Sequence, residues 1–283
     1  MSRPDQTPDP PDRGREPTSG DGPAGPPVAK DLVPVDDLGS TVAALAADDI
    51  EPAQRRRLLG RLVGQVRGRG IADLFKPRAA IRWMADAIGD IAPHVPIRDR
   101  ETLRRHYDGL DGDELAERLI RNAARATAGV GAAGGGVAAV QWTAAPSLLS
   151  APVLLATETI AVVAIELKLI GELHEAYGVP VAGTGTQRAV TLTQAWASQR
   201  GVNPLVPGVG VGTVLGTAAR KELRDMLLRR FGRNLTTLGP FLAGAAVASY
   251  LNRRATRGIG ERIQDDLRGQ RKSIGGSRPE IAS

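Results

Sequence analysis

The sequence predicts an all-α protein, a helical bundle with a Gly/Ala-rich apolar helical hairpin. Three observations carry that prediction. Apolar residues recur at helical spacing in several segments, as in QRRRLLGRLVGQVRG (54–68). No stretch alternates β-branched and polar residues with a period of two. Between Arg125 and Glu158 no charged residue occurs, and that run, Ala126–Thr157, is rich in Ala and Gly.

The elements follow in order. Residues 1–30 are dominated by Pro, Gly, Asp and Arg and are expected to be a disordered tail, as is 271–283, because neither offers enough apolar surface to offset ordering entropy. The region 36–125 reads as amphipathic helices. Leu58, Leu59, Leu62, Val63 and Val66 form one stripe, which Gly60 and Gly64 weaken. A second helix spans Ala79–Ile91 after Pro77. A third spans Asp111–Ala126, with acids at its start and arginines at its end, as the helix dipole favours.

Region 126–268 is the apolar hairpin and the C-terminal helices. A helix from Ala126 to about Ala145 has the length to cross a hydrocarbon core. Gly131 and Gly135 share a face, and so do Gly129 and Ala133; small residues at that spacing let a partner helix approach closely. TAAPSLLSAP (143–152) is expected to turn, with Pro146 and Pro152 bounding the tip. In the following helix Glu158, Glu166, Lys168, Glu172 and Glu175 fall on one broad side, opposite Ile160, Val163, Ala164, Leu167 and Ile170, which predicts an amphipathic helix. Two more uncharged stretches, 201–219 and 234–252, flank the basic segment 220–233. Exporting that segment would violate the positive-inside rule, so at least one stretch is expected to be interfacial or buried in protein.

Composition narrows the function. The 283 residues carry a net charge of +6 and a pI near 10.1, with Arg far outnumbering Lys, which suits an anionic membrane face. Nucleic acid is not expected, since no aromatic-plus-basic stacking surface is present. A mean hydropathy of −0.16 argues against a multi-pass transporter. The absence of cysteine excludes thiolate metal sites, disulfides and a Cys nucleophile. The N-terminus has no apolar segment of secretory type.

Catalytic motifs are absent. Gly129-Val130-Gly131-Ala132-Ala133-Gly134 matches a dinucleotide fingerprint in spelling, but a helix precedes it where a strand is required. His94, His106 and His174 do not stand at metal-ligand spacing. No catalytic residue, cofactor, metal or small-molecule ligand is identifiable. The polar candidates are Glu158, an acid inside an apolar run, together with Glu166 and His174.

The order of features resembles the EcsC family of bacterial proteins. The residues that carry the likeness are GVGAAGGG (129–136), SAP (150–152), ELKLIGELHEAYG (166–178) closing on Tyr177-Gly178, and PFLAGAAVASYLNRRATRGIGERI (240–263) with Asn252 at the family's Asn position. The likeness spans about residues 115–268, and the family's Asp-Leu-Pro turn reads Ser150-Ala151-Pro152 here. The resemblance implies a helical, membrane-associated protein, linked to transport or secretion by the transporter encoded beside the family's namesake.

Three functions follow as expectations. The first is a membrane-associated helical scaffold or accessory protein, held at the cytoplasmic membrane by the 126–171 hairpin with its bulk facing the cytoplasm. Its partners would be the lipid bilayer and a membrane protein or a second copy. The second is a soluble, cytoplasmic helical protein-interaction module. The third is an enzyme with an acid/base site near Glu158, Glu166 and His174.

Overall fold

The computed structural model describes residues 38–144, 150–200 and 239–276. Residues 271–276 of the expected 271–283 tail and 239–252 of the second uncharged stretch are helical. The tail at 1–30, residues 277–283, Pro146 at the hairpin tip, and the segment 201–238 with the first uncharged stretch and the basic stretch lie outside the described residues. Within them the chain forms eight α-helices and two short 3-10 turns, and no strand. The α-helices are α1 (Leu38–Leu45), α2 (Pro52–Gly68), α3 (Pro77–Ile91), α4 (Arg100–His106), α5 (Gly112–Ala144), α6 (Ser150–Ala176), α7 (Gly185–Gln199) and α8 (Gly239–Gly276).

Local sequence accounts for the ends. Pro52 and Pro77 occupy the first turns of α2 and α3, where a missing N–H leaves no helical bond unmade. The Asp99 carboxylate accepts from the Thr102 amide at 2.7 Å and caps α4. Gly178 adopts φ +71° just past α6; its amide and that of Val179 donate back to the carbonyls of Glu175 and His174, closing the last turn. Pro152, expected in a turn, lies in the first turn of α6.

The third and fourth predicted helices are one. α5 runs 33 residues without interruption, from the acids at 113–114 through the Gly/Ala run. It pairs antiparallel with α6: Asp113 meets Tyr177 at one end, and Gly134 faces the Glu158 carboxylate at the other. α8 lies antiparallel to α5, from Arg268 beside Asp113 to Ser249 beside Gly131. A Cβ on Gly131 would stand 2.6 Å from the Ser249 amide nitrogen, so only glycine permits this backbone-to-backbone approach. The burial and side-chain surroundings of Gly135, one turn on, are not described.

α6 is the axis of the bundle. α5 and α8 cover it on one side, α1 to α3 on another, and α7 on a third. Ile160, Leu167, Leu169, Ile170 and Leu173 are fully buried. The solvated polar face expected for this helix is absent: Glu166, Lys168 and Glu172 are 0%, 6% and 2% exposed. The expected amphipathic split does not hold: Val162, Ile165, Leu169 and Leu173 lie among the charges on the same side and are buried with them, and the charged side chains meet matching charges in the surrounding protein.

Candidate functional site

Buried charge is costly unless it is paired and hydrogen-bonded, and α6 carries two such networks. Glu166 lies at the first. Its carboxylate accepts from Trp196 Nε1 at 2.8 Å, Thr256 Oγ1 at 2.7 Å and Arg200 Nε at 3.2 Å, and Arg200 Nη2 makes a further ion pair. α7 supplies Trp196 and places Arg200 just past its end; α8 supplies Thr256. The carboxylate thereby ties three helices together.

The second network centres on Lys168 and Glu172, one turn apart. Lys168 Nζ donates to Asp48 Oδ1 at 3.0 Å and to Glu172 Oε2 at 3.4 Å. Arg98 grips Glu172 with two bonds of 2.7 and 3.0 Å and also pairs with Asp48. Tyr107 donates to Asp48 and accepts from Asn122 Nδ2 at 3.2 Å. Burial raises the Asp48 carboxyl pKa, but the Lys168 and Arg98 cations outweigh it and hold the group below its ordinary value. For Arg98, burial disfavours the cation, while the Glu172 carboxylate more than reverses this and raises its pKa.

A cavity of about 210 Å³ opens beside this second network. The loop after α1, α2, α5 and α6 line it, with Asp48, Arg55, Tyr107, Asn122, Arg125 and Lys168 among the polar groups.

The three polar residues singled out in the sequence do not meet. Glu158, Glu166 and His174 are successive eight-residue steps along α6, roughly 12 Å apart in rise, and each has its own partners. His174 Nδ1 bonds the Val179 carbonyl at 3.1 Å, and burial lowers its pKa, so it serves the helix end as a neutral donor. Tyr177 closes the far end of the hairpin through Asp113 and Gln264.

The structure does bring Glu158 and Asn252 together. Asn252 Nδ2 donates to Glu158 Oε1 at 2.9 Å and reaches the Thr127 carbonyl at 3.4 Å. The partner of this acid is an amide and not Arg121 or Arg125 of the preceding helix. Burial raises the Glu158 carboxyl pKa, and the Asn252 bond offsets this only in part. A carboxyl raised on folding is stabilised as the acid, so stability from this group grows as pH falls from neutral and shrinks as pH rises through the folded value. Glu158→Gln keeps an acceptor for Asn252 without the charge. It is expected to raise stability at neutral pH and to flatten that part of the pH profile; urea melts across pH 4.5–8 check it, and an unchanged profile would contradict the assignment.

Sequence reasoning missed Asp48, Arg98, Tyr107, Asn122, Trp196, Arg200 and Thr256 as network members. The one available signal was Lys168 four residues before Glu172 within a largely apolar helix. Among the described residues no group of His, Asp and Glu could hold a metal, and no helix is long and apolar enough to cross a membrane. No family model, curated protein or solved structure matches the chain.

Proposed function

We propose that this protein is a membrane-associated helical scaffold or accessory factor whose uncharged tip rests in the bilayer without spanning it. One observation carries the reading. Charge stops at a single level on three helices: beyond Arg125 on α5, before Glu158 on α6 and before Arg253 on α8. That level is the layer in which Asn252 bridges Thr127 and Glu158. From it the remaining turns of α5, residues 128–144, rise about 25 Å with no charged side chain. Leu155 and Tyr250, on α6 and α8, are 47% and 50% exposed near this layer. α2 flanks the same end with Arg56, Arg57 and Arg61 exposed, a charge pattern suited to an anionic leaflet. The EcsC-like reading belongs here too: Asn252 stands in the boundary layer and Tyr177-Gly178 closes α6, and with that likeness comes a link to transport or secretion at the cytoplasmic membrane.

Flotation with phosphatidylcholine vesicles containing phosphatidylglycerol tests the proposal. The wild-type chain should float and resist release by alkaline carbonate. Leu155→Asp changes an exposed position, so the core survives, and it should weaken flotation about threefold to tenfold, less than the roughly 2.5–3.5 kcal/mol of an acid at the centre of a bilayer because the position lies near the boundary. A wild-type chain that stays with the aqueous fraction at every lipid composition would overturn it.

The second reading, a soluble helical protein-interaction module, is favoured by the packing of α8 onto the Gly/Ala run, which gives part of that run a protein neighbour. Monodisperse recovery without detergent, together with failure to float, would select it. No specific geometry favours the enzyme reading, because Glu158, Glu166 and His174 are separately engaged.

A further inference from the structure

We propose that Arg55 and Arg125 form a binding site for a phosphoryl group at the cavity beside the Lys168 network. The chemistry follows from what the lining charges lack. Asp48 and Glu172 are neutralised within the wall by Lys168 and Arg98. The charges left over are Arg55, Arg125 and the exposed carboxylate of Asp49, an excess of one cation. Arg125 makes no ion pair among the described residues. Arg55 is half-buried, makes no side-chain hydrogen bond among them, and its Nε is wholly shielded from solvent without an acceptor. Nε faces protein, so a ligand in the cavity meets the terminal nitrogens of the guanidinium, which are neither shielded in this way nor hydrogen-bonded among the described residues. Burial also lowers the pKa of this guanidinium, as expected of a cation with no anion beside it.

The fold holds Arg55 in place. Its guanidinium lies over Gly129 of α5, where a Cβ would collide with Nη1. Gly129 therefore opens the space that the arginine fills. Guanidinium forks match phosphate oxygens in geometry, and two of them on separate helices suit a tetrahedral dianion better than a single carboxylate. The cavity, about 210 Å³, holds a phosphoryl group with room for water. Asn122 and Tyr107 add polar atoms to the wall.

Two sources offer this group: a soluble phosphate compound or a phospholipid headgroup. The lipid source rests on the membrane reading above, because Arg125 and Gly129 lie just either side of the layer where charge ends.

Calorimetric titration of the full chain with inorganic phosphate, with acetate as the carboxylate control, and flotation on phosphatidylcholine vesicles with and without phosphatidylglycerol separate the outcomes. The expected result is phosphate binding without acetate binding, weakened about fivefold by each of Arg55→Gln and Arg125→Gln. Gly129→Ala keeps both arginines and favours the helix while displacing the Arg55 guanidinium, so it should weaken phosphate binding without lowering the melting temperature. This variant separates a lost site from a lost fold. Phosphate binding together with a loss of preference for anionic vesicles in the double variant identifies a headgroup. Phosphate binding by a chain that never floats keeps the site, assigns it a soluble ligand and removes the membrane reading. Flotation by a chain that binds no phosphate keeps the membrane reading and overturns the site. Equal phosphate binding by the wild type and the double variant also overturns it.

Discussion

Glu166→Ala is expected to lower the unfolding free energy by roughly 3–5 kcal/mol, the usual consequence of removing one partner from a buried ion pair. The carboxylate is wholly buried and receives Trp196, Arg200 and Thr256 at once. Its removal strands an indole N–H and a hydroxyl in the interior and leaves Arg200, itself mostly covered, without its anion. Glu166→Gln should do less damage, because an amide oxygen still accepts from Trp196 or Thr256 while the pairing with Arg200 is lost. Urea denaturation of the two variants against wild type measures both, and a Glu166→Ala loss below about 1 kcal/mol would place Glu166 among weakly coupled surface pairs.

Gly131→Ala is the second large effect. In most helices the change is favourable, by about 1 kcal/mol. Here the new methyl meets the backbone of Ala248 and Ser249 at 2.6–3.0 Å, and backbone cannot rotate aside as a flexible side chain can. α5 and α8 must separate, at a net cost of roughly 1–3 kcal/mol. Gly60→Ala is the matched control. It lies on the exposed face of α2 with nothing within 4 Å of the added carbon, so it should stabilise by about 0.5–1 kcal/mol. Opposite signs for the same chemical change in two helices are the expected result. Two stabilising values would mean that the α5–α8 crossing is looser than the backbone approach indicates.

The legible parts of this fold are those set by neighbours in sequence. The stripe of Leu58, Leu59, Leu62, Val63 and Val66 announces α2, and all five are buried. The acids and arginines of 111–126 announce the start of α5. What the sequence concealed depends on distant residues. Glu166, Lys168 and Glu172 look like a solvated helix face because hydropathy records their charge and not their partners, and those partners, Asp48, Arg98 and Thr256, are 120, 74 and 90 positions away. The Gly/Ala run signalled a close helix approach at Gly131 but not which surface makes it, for a related reason. Its low side-chain volume is compatible with lipid and with a close protein neighbour, and Gly131 has the latter. Glu158 and Asn252 were each notable alone, one as an acid in an apolar run and the other through the EcsC-like likeness. Their hydrogen bond joins α6 to α8, a pairing that no local pattern encodes.

The spread of partners around α6 also sets an order of assembly on the ribosome. Asp48 and Arg98 have already been made when Lys168 and Glu172 emerge, so the second network can close as soon as α6 clears the exit tunnel. Glu166 emerges just before Lys168, but its partners are all made after it. Trp196 and Arg200 follow it by 30 and 34 residues, and Thr256 by 90. At 5–20 residues per second the last of these arrives roughly 5–18 s later. For that interval the nascent chain holds an acid against an unfinished wall, with the Gly131 side of α5 still waiting for α8. A chaperone, a lipid surface or simple solvent exposure has its opportunity there, and a stop codon anywhere before residue 256 would leave the central helix permanently in that state.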